Sequence, residues 1–189
     1  MDVSDLHDDI EEVLITEAEI HQRLKQIARE VERDYEGKEP LFIGVLKGAT
    51  MVMADFLREL RIYAPLDWMA VSSYGSGTKS SGVVRILKDL DTDIHDKDIV
   101  IVEDIIDSGL TLSWLVDNLK SRGAKSVEIV TLLRKPEAIT VPLDVRYVGF
   151  DIPTAFVVGY GLDYAEKYRN LRDVATLARH VYENPDTAQ

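Results

Sequence analysis

The densest run of chemistry-bearing residues is IVIVEDIIDSGLTLSWL, Ile99 to Leu115. Four apolar residues lead into two adjacent acids, Glu103 and Asp104. Two isoleucines follow, then Asp107, Ser108, Gly109 and a pattern of helical period. In open parallel sheets, ligands bind beyond the carboxyl ends of the strands, which is where a strand through Val102 delivers the two acids. Backbone N–H groups at the start of the next helix, with the hydroxyls of Ser108 and Thr111, form an anion seat. Gly109 lets the backbone approach closely. A phosphate would therefore sit on Asp107, Ser108, Gly109, Leu110 and Thr111. The acids can accept hydrogen bonds from vicinal sugar hydroxyls, directly or through Mg²⁺, which prefers oxygen ligands. Asp107 has two open roles: it caps the helix, or it exchanges a proton with a ligand. A strand followed by a capping Asp is the plain alternative for each residue singly, but the whole run is far more specific.

Other candidates are weaker alone. Leu46-Lys47-Gly48 follows a short apolar run and reads as a tight turn with a solvated lysine. The glycine- and serine-rich SSYGSGTKSSG reads as a loop. A Walker A motif fails there: counting from Gly75, the required second glycine falls on Ser80. Lys135 ends an apolar run just before Pro136. His7, His21, His95 and His180 are scattered without metal-ligand spacing, and there is no cysteine. Disulfides, thiolate zinc sites and thiol nucleophiles are thus excluded, and a cytoplasmic location is expected.

The elements that must position these residues follow from periodicity. Residues 1–15, with six acids in the first twelve, read as a solvated acidic lead-in. A capping box at Thr16 and Glu19 opens a helix with Ile20, Leu24, Ile27 and Val31 on one face. PLFIGVL, LDWMAVSSY, VVRILKDL, IVIVE and SVEIVTLL read as strands; MVMADFLREL and the run from Thr111 read as helices, the latter ending near Gly123. VRYVGFDI, AFVVGY and VATLARHV are further strand candidates, and residues 181–189 form a loose tail. This order predicts an α/β fold with a mostly parallel central sheet flanked by helices, in a single domain over residues 16–180.

The net charge of −12 disfavours nucleic acid and anionic lipid as partners. No run approaches the roughly 18 apolar residues of a membrane span.

The 99–115 run resembles the phosphoribosyl-pyrophosphate signature of type I phosphoribosyltransferases. LFIGVLKGA, SSYGSG, VEDIIDSGLT, LLRKP, YVGFDIP, FVVGYGLDY and EKYRNL occur in the order found in bacterial hypoxanthine (hypoxanthine-guanine) phosphoribosyltransferases. The resemblance covers about residues 15–180. It implies Mg²⁺-dependent transfer of ribose 5-phosphate from phosphoribosyl pyrophosphate to a 6-oxopurine, giving IMP or GMP. It implies a small hood lobe from about residues 135–172 and the terminal segments, and a mobile lid over about 73–84. By the same resemblance, Asp107 handles the purine proton, and Glu103 and Asp104 lie on the ribose and metal side. Leu46, Lys47, Gly48 and Arg169 bind pyrophosphate, and Ser73 and Tyr74 belong to the lid. Lys135 meets the purine 6-oxo group, Phe156 stacks on the base, the Val157 backbone borders it, and Asp163 joins the metal. A homodimer or homotetramer is expected. The sequence departs from relatives after Lys135-Pro136, where Glu137 and Ala138 stand in place of common basic residues. Two alternatives stay open: a nucleotide-sensing regulator on this fold, and a xanthine-preferring transferase.

Overall fold

The computed structural model describes residues 1–6, 8–74 and 83–183, without the side chains of Ser73, Tyr74 and Val83. The core is a six-stranded sheet in the order β4-β3-β2-β5-β6-β7. Its strands are β2 (Leu41–Leu46), β3 (Leu66–Tyr74), β4 (Val83–Lys88), β5 (Asp98–Ile106), β6 (Ser126–Arg134) and β7 (Tyr147–Asp151). All neighbouring pairs are parallel except β3 with the edge strand β4.

The continuous apolar run of β5 follows from burial on both faces. Val100 and Val102 enter one core, with Ile20, Leu24, Ile27 and Val31 of α1 (Glu17–Asp34) and Val52, Met53 and Phe56 of α2 (Thr50–Glu59). Ile99 and Ile101 enter the other, against Leu112, Leu115 and Leu119 of α3 (Leu110–Ser121). The period of two thus sorts one strand between two helical layers. Thr16 caps α1 with the expected reciprocal box: its side chain accepts from Glu19 N, and Glu19 Oε2 accepts from Thr16 N at 2.9 Å.

A second, antiparallel sheet joins distant pieces of chain in the order β1-β9-β8: β1 (Ile10–Ile15), β9 (Val174–Leu177) and β8 (Val157–Val158). This corrects the reading of residues 1–15 as a solvated lead-in. Ile15 is buried, and Leu6 and Ile10 pack with Val158, Tyr168 and Leu177. Tyr168 donates to Asp9 Oδ2 at 2.8 Å. The acids of this segment had masked its apolar positions. The tail reading is corrected too: after Leu177 the chain turns into a short helix, α4 (Arg179–Tyr182), and Tyr182 stacks on Phe156. Residues 184–189 lie outside the described residues. β8 is only a dipeptide because Gly159, Tyr160 and Gly161 all take positive φ and turn the chain away.

Of the expected lid, residues 75–82 lie outside the described residues; Ser73 and Tyr74 end β3, paired with Val84 and Val83. No described helix is long and apolar enough to cross a membrane.

Candidate active site

A cleft of about 270 Å³ opens at the carboxyl ends of β2 and β5. Leu46 and Gly48 line one side; Glu103 through Gly109, with Thr111 and Leu112, line the other. β5 runs through both acids to Ile106, so the carboxylates project from ordered strand rather than from a loop. Burial pushes the Glu103 carboxyl well above its usual range, and Asp104 beside it adds to the rise. Glu103 Oε2 is buried without a hydrogen-bond partner. Burial also raises Asp104, to about 6; hydrogen bonds from backbone N–H groups and the charge of Arg169 oppose the rise, and Asp163 adds to it. The Ile105 N–H donates to Asp104 Oδ1 at 2.7 Å.

α3 begins at Leu110 with Gly109 as its N-cap, in the left-handed region at φ 78°. Asp107 is therefore not the helix cap, which removes one of its two roles. A glycine at this corner turns the chain from strand to helix without a side-chain penalty. The Leu110 N–H reaches Ser108 Oγ at 3.4 Å, and the Thr140 N–H donates to the Ser108 carbonyl at 3.1 Å. Asp107 instead pairs with Lys135, Oδ2 to Nζ at 3.2 Å. Lys135 follows β6, and its N–H donates to the Ile106 carbonyl at 2.9 Å. Its side chain is only 10% exposed, against 62% for Asp107. A buried ammonium with three donors thus has one ionic partner at the cleft.

The turn after β2 contains a cis peptide between Leu46 and Lys47. Gly48 follows; a Cβ there would overlap Asp104 Oδ2, so no other residue fits without displacing the carboxylate. Gly161, at φ 103°, lies against the Gly48 carbonyl, which a Cβ on Gly161 would also overlap. The loop leaving β8 thereby rests on the turn leaving β2. It carries Asp163, whose Oδ1 lies 2.7 Å from Arg169 Nη2. Arg169 Nη1 donates to the Gly161 carbonyl at 2.8 Å, and its Nε is buried without a partner. Phe156, 39% exposed, meets Tyr164 edge-on with centroids 5.6 Å apart, and stacks on Tyr182 at 5.0 Å and 19°.

Residues 11–165 match the family model for the phosphoribosyl transferase domain. The chain is 53% identical over 176 residues to the hypoxanthine-guanine phosphoribosyltransferase of Bacillus subtilis, covering 93% of this chain and 98% of that protein. This chain belongs to the hypoxanthine-guanine phosphoribosyltransferase family. It also matches the bifunctional TilS/HprT protein of Listeria innocua at 52% identity over 177 residues, 94% of this chain but only 27% of that longer protein. A crystal structure of a hypoxanthine phosphoribosyltransferase from Staphylococcus aureus superposes with a TM-score of 0.92 at 45% identity, covering 96% of this chain and 99% of that one. The type I phosphoribosyltransferase fold expected from the sequence is the fold observed.

Within this family frame, the cleft gathers Glu103, Asp104, Asp107, Ser108, Gly109, Thr111, Leu46 and Gly48. Leu110 is the first residue of α3 and lies outside the lining. Lys135 joins the cleft through Asp107, and Arg169 and Asp163 act on Asp104 through their charges. Phe156 and Val157 belong to the hood rather than the cleft lining. Glu137 and Ala138 occupy a short 3-10 turn after Lys135. Three residues escaped sequence reasoning: Gly161, Glu166 and Tyr182. The Gly-Tyr-Gly spacing at 159–161 was a usable turn signal. Nothing local to Tyr182 points to Phe156, 26 positions earlier.

Proposed function

We propose that this protein transfers ribose 5-phosphate from phosphoribosyl pyrophosphate to hypoxanthine or guanine, releasing pyrophosphate and forming IMP or GMP. The observation that carries this reading is the Asp107–Lys135 pair, which sets a proton-exchanging carboxylate and a buried donor beside an anion seat. In this reading the 5′-phosphate rests on the N–H groups at the start of α3 and on the Ser108 and Thr111 hydroxyls. Glu103 and Asp104 face the ribose side. Asp107 takes the proton from the purine N7 as the glycosidic bond forms. The backbone of Leu46, Lys47 and Gly48, with Arg169, holds the leaving pyrophosphate; guanidinium suits bidentate phosphate contact. Phe156 stacks on the base, bordered by the Val157 backbone, while Ser73 and Tyr74 belong to a lid that excludes water from the cationic centre.

Mg²⁺ fits the donors here: the unpartnered Glu103 Oε2, with Asp104 and Asp163, would hold an oxygen-seeking cation, which neutralises charge on the diphosphate. Among the described residues no three or more Asp, Glu, His or Cys side chains group closely enough to hold a metal by themselves, so these acids would share the cation with substrate and water oxygens. A cytoplasmic homodimer or homotetramer accompanies this reading.

Lys135 supplies a specificity argument. An ammonium only donates, so it suits a 6-oxo acceptor and meets another donor on adenine. The deciding experiment offers phosphoribosyl pyrophosphate, Mg²⁺ and an equal mixture of hypoxanthine, guanine, xanthine and adenine, and quantifies each nucleotide. IMP and GMP without AMP are expected. Dominant XMP would shift the reading to a xanthine transferase, and no nucleotide at all would favour a nucleotide-sensing regulator.

A further inference from the structure

The segment Tyr164 to Lys167 is a tight turn closed by two backbone hydrogen bonds, Tyr164 N to Lys167 O at 3.2 Å and Lys167 N to Tyr164 O at 3.0 Å. Its central residues, Ala165 and Glu166, have φ of 50° and 62°. Turns of this kind use asparagine and glycine at those positions, because L side chains are disfavoured there. Backbone strain gathers at working sites, where the surrounding structure enforces it. Here the Glu166 N–H donates to Asp163 Oδ2 at 2.9 Å, which pins the tip.

The pinned tip delivers a carboxylate to two cations. Glu166 Oε2 lies 2.9 Å from Lys47 Nζ, and Oε1 lies 3.3 Å from Arg169 Nη2. Lys47 comes from the turn after β2 and Arg169 from the hood, so one side chain bridges the two lobes. Arg169 is assigned above to pyrophosphate through its guanidinium and Lys47 through its backbone, and the Lys47 ammonium is the second cation beside that loop. A carboxylate shared between them presents two anionic oxygens, as a phosphate group does.

We propose that Glu166 sets the affinity for diphosphate ligands: it occupies Lys47 and Arg169 when no diphosphate is bound, and yields them when one arrives. The proposal rests on the transferase reading for the assignment of those two residues. Lys47 and Glu166 are each 66% exposed along their side chains, so this pair is weak and opens readily. Arg169 keeps Asp163 and the Gly161 carbonyl, so its guanidinium stays oriented after Glu166 leaves. When pyrophosphate departs, Glu166 recaptures both cations. The contact therefore weakens binding of the diphosphate and favours its release, while leaving the purine side untouched.

The test is Glu166→Gln, which keeps the side chain's size and removes its charge; as Glu166 is exposed, the variant should keep the wild-type melting temperature. Inorganic pyrophosphate with Mg²⁺ is titrated calorimetrically into both proteins, and KM is measured separately for phosphoribosyl pyrophosphate and for hypoxanthine. The pyrophosphate Kd and the phosphoribosyl pyrophosphate KM should each fall about two- to five-fold, the range of an exposed ion pair. The hypoxanthine KM should not move, and the difference should shrink at high salt. A rise or no change in the pyrophosphate Kd overturns the proposal, since a Glu166 that merely orients the cations would weaken binding when lost. If wild type makes no nucleotide, the transferase reading fails, but the pyrophosphate titration still decides the role of Glu166.

Discussion

The β5–α3 side of the cleft and the antiparallel β1-β9-β8 sheet are built in opposite ways. The first is one stretch of chain, from Glu103 in β5 to Leu112 in α3. The smaller sheet joins β1 to β8 and β9, which lie roughly 145 and roughly 160 positions further along the chain. Within the β5–α3 stretch the left-handed glycine and the helix start are local features, while the strand end is held by β2 and β6 on either side. The smaller sheet exists only once distant segments have paired, and the loop leaving β8 reaches the turn after β2 through Gly161 against Gly48 and Glu166 with Lys47.

The most direct way to break this relation is Gly161→Ala. The new Cβ meets the Gly48 carbonyl, and φ of 103° is hostile to any L side chain. We expect a stability loss of about 3 kcal/mol or more by denaturant unfolding, with activity falling alongside. Next comes Lys135→Gln, which removes the buried charge beside Asp107 while keeping a donor. The kcat/KM for hypoxanthine should fall about ten- to a hundredfold, the range for a weakened buried polar contact of roughly 1–3 kcal/mol, and discrimination against adenine should relax.

Asp104→Asn probes the buried acid of the cleft. Burial raises the Asp104 carboxyl to about 6 in the folded protein, against an ordinary 3.8, so between those values the folded state keeps a proton that the unfolded state releases. Stability contributed by this group is therefore present below the unfolded value, falls as pH rises through that window, and is absent above about 6. Without divalent cations, Asn at this position should raise the melting temperature at pH 7.5 and leave it nearly unchanged near pH 4. Added Mg²⁺ should stabilise wild type more than the variant, and thermal scans at both pH values with and without the cation check this. The smallest effect is Thr16→Ala, which removes the cap where the chain leaves β1 for α1. It should cost about 1 kcal/mol of stability with kcat unchanged.

What was legible in advance follows the same division. The capping box at Thr16, the buried strand through Val102 and the helix start beyond Gly109 were readable because each depends on neighbours a few residues away. β1 was missed because Glu11 and Glu12 sit among its apolar residues, and pairing with β9 is what buries Ile15. Asp107 had two roles on paper; the left-handed Gly109 takes the cap and leaves Asp107 to Lys135.

By itself, then, the sequence determined the fold class through periodicity and capping, which are local properties of the chain, and the family through the motifs it shares with relatives. Tertiary structure alone decided that Glu103 Oε2 is left without a partner, that Gly161 rests on Gly48, that Tyr182 backs Phe156 and that Glu166 spans Lys47 and Arg169. Each of these depends on burial or on distances between segments far apart in the chain, and such quantities arise only when the two sheets have closed on one another.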